Sequence, residues 1–179
     1  MTNVTRTVLV ALITLGLAAC ASKETAPVED TSTPEPMPEP EPVVETTGYQ
    51  GPTDYTSKEG LDDPRNLLSK RVIYFDFDKS NVKPEYREIL SAHATYMAAN
   101  GGARVTLEGH ADERGTREYN LGLGERRGNS AMGLLDAQGA ASNQLSVVSY
   151  GEERPVSTCS NESCWSRNRR VEIVYTRVQ

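Results

Sequence analysis

The chain has 179 residues, 25 acids against 19 lysines and arginines, 37% hydrophobic and 6% aromatic residues, and a formal net charge of -6. That length holds one ordinary globular domain together with a segment that is not globular. Residues 21–60 carry nine acids against Lys23 and Lys58, whereas residues 61–179 carry sixteen acids and sixteen bases, so the folded part has no basic excess and a nucleic-acid footprint across it is excluded.

The first twenty residues read as an address. Arg6 precedes the apolar run Val8 to Ala19, which has the length of a signal-peptide core and falls short of the ~20 residues a membrane span needs. It ends in Leu17-Ala18-Ala19-Cys20, which resembles a bacterial lipobox. The expectation is therefore a signal peptide over 1–19, removed to expose Cys20 for lipidation. A plain signal peptide with an incidental cysteine is the competing reading. Several acyl chains on Cys20 would anchor the mature N-terminus stably, where a single chain gives only marginal binding. Ala21 follows in place of the aspartate that commonly retains Gram-negative lipoproteins in the inner membrane, which by resemblance points to the outer membrane.

Residues 20–66 read as a tether. Seven of the ten prolines fall in 21–60, including the alternating run Pro34 to Pro42. Such a segment buries too little apolar surface to offset its ordering entropy and stays extended or disordered. About 50 residues of polyproline II would reach roughly 150 Å, and a flexible coil of that length about 40 Å. The folded domain is expected over 67–179.

Within it, Val72 to Phe77 is β-branched and aromatic and predicts a strand. Pro84 sits in the first turn of a helix, on which Tyr86, Ile89, Leu90, His93, Tyr96 and Met97 share a face and which Asn100-Gly101-Gly102 ends. Arg104 to Glu108 alternates as a second strand. Thr116 N-caps a second helix with Glu118 in its first turn, and Leu121, Leu134 and Leu135 are assigned to its buried side. Leu145–Tyr150 and Arg170–Tyr175 are the last two strands. The order β-α-β-α-β-β predicts an α+β fold (an α/β sandwich), a mixed sheet with helices packed on one face.

One run joins the second strand to the second helix: Glu108-Gly109-His110-Ala111-Asp112-Glu113-Arg114-Gly115-Thr116, continuing through Tyr119-Asn120 to Leu123-Gly124-Glu125-Arg126-Arg127. With Tyr74 to Lys79 before it, and Val148 to Glu152 and Asn168-Arg169-Arg170 after it, this resembles the peptidoglycan-associated lipoproteins of the family that shares the OmpA C-terminal domain. The likeness spans residues 70–176. It implies non-covalent binding of peptidoglycan through meso-diaminopimelate, with Asp112 meeting the ligand's free ammonium and Arg127 its carboxylate. Phe77, Asp78 and Leu123 are expected to wall the cleft, with Asn120 and Asn168 as weaker candidates. The resemblance further implies an outer-membrane lipoprotein whose domain lies in the periplasm. Its partners would be peptidoglycan and a TolB-like propeller protein of the Tol system, which serves envelope integrity and division. It departs from the family at Gly128, where alanine is usual, and at Arg117, where proline is frequent.

The chemistry agrees with that transfer. A carbon bearing both an ammonium and a carboxylate asks for an acid and a base side by side, and the planar fork of arginine holds a carboxylate bidentately. The bland alternative is an Asp112–Arg127 salt bridge between loop and helix. Asp76, Glu113, Arg114 and Arg126 are read as solvated charges. No enzyme is expected. His93 and His110 lie far apart as zinc ligands, without further His support, and no Gly-x-Ser-x-Gly elbow is present. Cys159 and Cys164 form an even pair in an exported domain, which favours a disulfide over two free thiols. No cofactor is implied. The alternative function is a module that binds mainly a periplasmic protein partner.

Overall fold

A computed structural model describes residues 52–178; the expected signal peptide, Cys20 and the tether through residue 51 lie outside them. Four strands, β1 (Val72–Tyr74), β2 (Arg104–His110), β3 (Leu145–Gly151) and β4 (Arg170–Arg177), form one sheet in the order β1-β4-β2-β3. β2 and β3 run parallel, and β4 is antiparallel to both of its neighbours. Three helices accompany them: α1 (Arg87–Ala99), α2 (Arg117–Ala137) and α3 (Glu162–Asn168). The fold is the expected α+β sandwich with a mixed sheet.

The core lies between the sheet and α1 and α2. Val105 and Leu107 of β2 and Val171 and Ile173 of β4 meet Leu90, Tyr96 and Met97 of α1 and Ala131 and Leu135 of α2. Helix α1 follows a 3₁₀ turn over Pro84–Tyr86 and ends at Asn100, whose side-chain amide donates to the Tyr96 carbonyl at 2.8 Å. His93 is fully buried on the apolar face of α1. Its Nε2 donates to the Lys70 carbonyl (3.1 Å) and its Nδ1 accepts from the Tyr175 hydroxyl (2.8 Å), and burial pulls its pKa down to about 4.

Helix α2 approaches the sheet closely enough to bring backbone against backbone. A Cβ built on Gly109 of β2 would lie 2.0 Å from the Gly124 carbonyl oxygen, and one on Gly124 would lie 2.4 Å from Ser149 Oγ. These two glycines are the condition of that contact, which accounts for their presence in a helix and a strand that each weakens.

Four expectations are corrected. Strand β1 ends at Tyr74 rather than Phe77, because the chain turns at Asp76–Lys79, with Asp78 in the left-handed region at φ 55°. Leu121 is 40% exposed; the buried stripe of α2 runs through Asn120, Leu123, Gly124, Arg127, Ala131 and Leu135, one position out of register with it. Helix α3 was not expected. Asn161 caps it, accepting from Ser163 N at 3.0 Å, and a Cys159–Cys164 disulfide closes across its start. Finally, residues 52–66 are not an extended tether. Leu61 and Asn66 are buried, Tyr55 packs on the core, and the Asn66 side-chain amide donates to the Asp54 carbonyl at 3.1 Å. Asn100 and Arg71 add bonds from the rest of the domain to the carbonyls of Thr56 (2.9 Å) and Leu61 (3.0 Å).

Candidate functional site

At the C-terminal end of β2 the chain leaves the sheet at His110, passes through Ala111 to Gly115 and enters α2. Gly115 takes φ 111°, a conformation that suits glycine, and Thr116 Oγ1 then accepts from Tyr119 N at 3.2 Å. Between this loop, the start of α2 and the turn after β1 lies a cavity of about 200 Å³. Asp112, Arg127, Phe77, Asp78, Leu123 and Asn120 all line it. Asn168, the seventh expected residue, does not. Its side-chain carbonyl accepts from the backbone of Val156 and Ser157 and its amide donates to the Ser157 carbonyl, so it braces the loop before α3.

Asp112 and Arg127 share the cavity without pairing, which removes the salt-bridge alternative. Arg127 is wholly buried and crosses from α2 to two other elements. Its Nε donates to the Lys79 carbonyl (2.9 Å), Nη2 to the Asp76 carbonyl (3.1 Å) and Nη1 to the His110 carbonyl (2.7 Å). A guanidinium has five N–H donors, so these bonds leave two for the cavity. Burial lowers its pKa to about 10 against the opposing pull of Asp112, and it stays charged at neutral pH.

Asp112 is 4% exposed. Its Oδ1 accepts from Arg114 N (3.1 Å) and Nε (3.3 Å), and its Oδ2 from Arg114 Nη2 (2.7 Å) and Arg169 Nη1 (3.2 Å). Burial alone would raise its carboxyl pKa; the bonds from Arg114 and Arg169 outweigh burial and hold it below the usual value. The site thus contains a fixed carboxylate and a fixed guanidinium facing one small space. A cation entering it competes with Arg114, the more exposed of the two arginines on Asp112.

Arg114 is not a solvated loop charge. Its guanidinium lies 3.9 Å from the centre of the Phe77 ring and 4.2 Å from that of Trp165, sandwiched between the turn after β1 and α3. Glu113 accepts from Trp165 Nε1 at 3.0 Å, and Asp76 pairs with Lys83 at 2.9 Å, so these two also have structural partners. Arg126 sits 5.5 Å above the Tyr119 ring. Sequence reasoning missed Arg114, Gly115 and Tyr119 as cavity residues. Tyr119 donates to Asp78 across the mouth, and Asn120 donates to Glu152 behind it. Helical spacing held the signal for Tyr119, which is one turn before Leu123. The Arg114 sandwich depends on α3 and left no local trace.

The OmpA family matches residues 74–169. A peptidoglycan-associated lipoprotein of Pseudomonas putida is 50% identical over 113 residues, 63% of this chain and 68% of the relative. The protein of the same name from Rhizobium meliloti is 37% identical over 168 residues, 93% of this chain and 86% of the relative. Among solved structures, the peptidoglycan-associated lipoprotein of Burkholderia pseudomallei superposes with a TM-score of 0.64 at 40% identity, covering 65% of this chain and 98% of that one.

Proposed function

The chain belongs to the OmpA family, and from that premise we propose that it is an outer-membrane lipoprotein that holds peptidoglycan through the zwitterionic end of meso-diaminopimelate. The reading is of a binding protein, without chemistry on its ligand. One observation carries it: Asp112 and Arg127, of opposite charge and both buried, wall the same cavity without neutralising each other. Drug-sized ligands occupy ~300–1,000 Å³, so a cavity of about 200 Å³ suits the head of a single amino acid and leaves sugars outside. In this reading the ammonium takes the place of Arg114 on Asp112, and the carboxylate meets the two free N–H groups of Arg127. Phe77, Leu123, Asp78 and Asn120 fix the orientation.

The position of the chain entry supports a tethering role. The carbonyls of Asp54 and Thr56 accept from Asn66 and Asn100, beside the N-terminal end of β2, and the cavity sits at the other end of that strand. A seven-residue strand spans roughly 20 Å. Asp54 and Thr56 thus lie at the pole of the domain opposite the cavity. Full-length chain incubated with purified sacculi should be retained, and Asp112→Asn should be lost to the supernatant while keeping its wild-type circular dichroism. Equal retention would refute the cleft. Cys20→Ser should leave the outer-membrane fraction; unchanged fractionation would refute the anchor.

A TolB-like propeller protein is the second reading for the same surface. Phe77 (54% exposed) and Tyr119 (46%) line the cavity and stand out into solvent, an aromatic border of the kind protein interfaces use. The two partners would then compete, and soluble stem peptide should displace the propeller protein.

A further inference from the structure

A second concavity, of about 390 Å³, lies beside the cleft and is lined by Phe75, Asp76, Lys83, Ser166, Arg167 and Arg169. The two share a wall. Successive residues of the turn after β1 face them in pairs, Phe75 and Asp76 the groove and Phe77 and Asp78 the cleft. Arg169, which lines the groove, reaches Asp112, which lines the cleft, at 3.2 Å. Helix α3 serves both, with Trp165 stacked on Arg114 at the cleft and Ser166 and Arg167 opening onto the groove.

The groove is lined by three cations, Lys83, Arg167 and Arg169, against the one acid Asp76. Lys83 is matched by Asp76 at 2.9 Å, and Arg169 by Asp112, Glu162 and the Phe75 carbonyl. Arg167 has no carboxylate partner among the described residues and is exposed. A guanidinium left unmatched in a concavity, with a second cation on the same wall, is suited to a planar oxyanion. In the stem-peptide reading the guest in the cleft is one residue of an acidic peptide, and the shared wall gives its neighbours a route to the groove.

We propose that this groove is a second subsite of the same binding surface, taking a further carboxylate of the stem peptide on Arg167, with Lys83 adding to the field. The inference rests on the stem-peptide reading of the cleft. It makes the protein sensitive to amidation of the peptide's acidic residue, a change that leaves the zwitterion untouched.

The test uses the full chain and two soluble stem tripeptides ending in meso-diaminopimelate. In one, the preceding acidic residue has a free α-carboxylate; in the other, that group is a carboxamide. Calorimetric titration of the wild type should favour the acid by about three- to tenfold, the range of one partly exposed charge-assisted contact. Arg167→Gln should bring the acid down to the affinity of the amide. Asp112→Asn should lose both peptides. Equal wild-type affinity for the two peptides, or a preference that survives Arg167→Gln, overturns the groove while the cleft stands. Failure of Asp112→Asn to weaken either peptide overturns the cleft and the groove with it.

Discussion

Replacing Arg127 by alanine should damage the fold before it reports on binding. The side chain is fully buried, and its three bonds, at 2.7, 2.9 and 3.1 Å, join α2 to the end of β2 and to both ends of the turn after β1. A hydrogen bond from a charged donor contributes ~1.5–3 kcal/mol, and a buried acceptor left alone costs ~1–3 kcal/mol. The His110 carbonyl is sealed from water, whereas those of Asp76 and Lys79 lie in a half-exposed turn where water can replace part of the loss. Counting the first in full and discounting the others gives a destabilisation of about 3–5 kcal/mol, the range seen when one partner of a buried charged contact is removed. For a domain of this size that lowers Tm by roughly 10–20 °C. Urea unfolding followed by circular dichroism, with Asp112→Asn alongside, measures it. If Arg127→Ala unfolds within about 1 kcal/mol of the wild type, the guanidinium does not brace the turn, and its assignment as a fixed wall of the cleft fails.

Acid should weaken the domain through its two histidines. His110 is 2% exposed with neither ring nitrogen bonded, and burial, aided by Arg170, lowers its pKa to about 4; His93 is lowered to about 4 as well. In the unfolded chain both bind protons near pH 6.5. The unfolded state therefore holds more protons between pH 6.5 and 4, and stability falls as pH falls through that window. His110→Phe should make unfolding free energy less steep between pH 6 and 5 by about 1 kcal/mol per pH unit, and an unchanged slope in urea titrations would refute this. Gly128→Ala sets a Cβ 2.5 Å from Val147 Cγ1. It should destabilise by about 1–2 kcal/mol despite better helix propensity, and Val147→Ala should reverse most of that in a double-mutant cycle; simple additivity would contradict the clash.

What the sequence made legible follows from how local each signal is. The Thr116 cap, the Pro84 helix start and the alternation of β2 act over a few residues and appear where expected. The cleft was readable because one continuous run, Gly109 to Arg127, supplies most of its wall. Leu121 misled because hydrophobicity outranked register. The backbone contact of Gly109 with Gly124 fixes which side of α2 faces the sheet, and that side carries asparagine and arginine. Helix α3 is seven residues long, too short for periodicity to show. The partners of Arg114 and Arg127 are long-range or backbone atoms, which residue types alone do not announce. Residues 52–66 have an acidic, proline-bearing composition, and their docking rests on long-range contacts of Tyr55, Leu61 and Asn66 that composition does not announce.

The central claim is that opposite fixed charges in one small cavity read an amino acid's zwitterion. Calorimetric titration of the full chain with a stem tripeptide ending in meso-diaminopimelate, against the same peptide ending in lysine, tests it directly. Lysine keeps the distal ammonium and lacks the carboxylate that Arg127 would hold. The account predicts at least tenfold weaker binding of the lysine peptide. It also predicts no measurable binding of either peptide by Asp112→Asn. Equal affinity for the two peptides would contradict it.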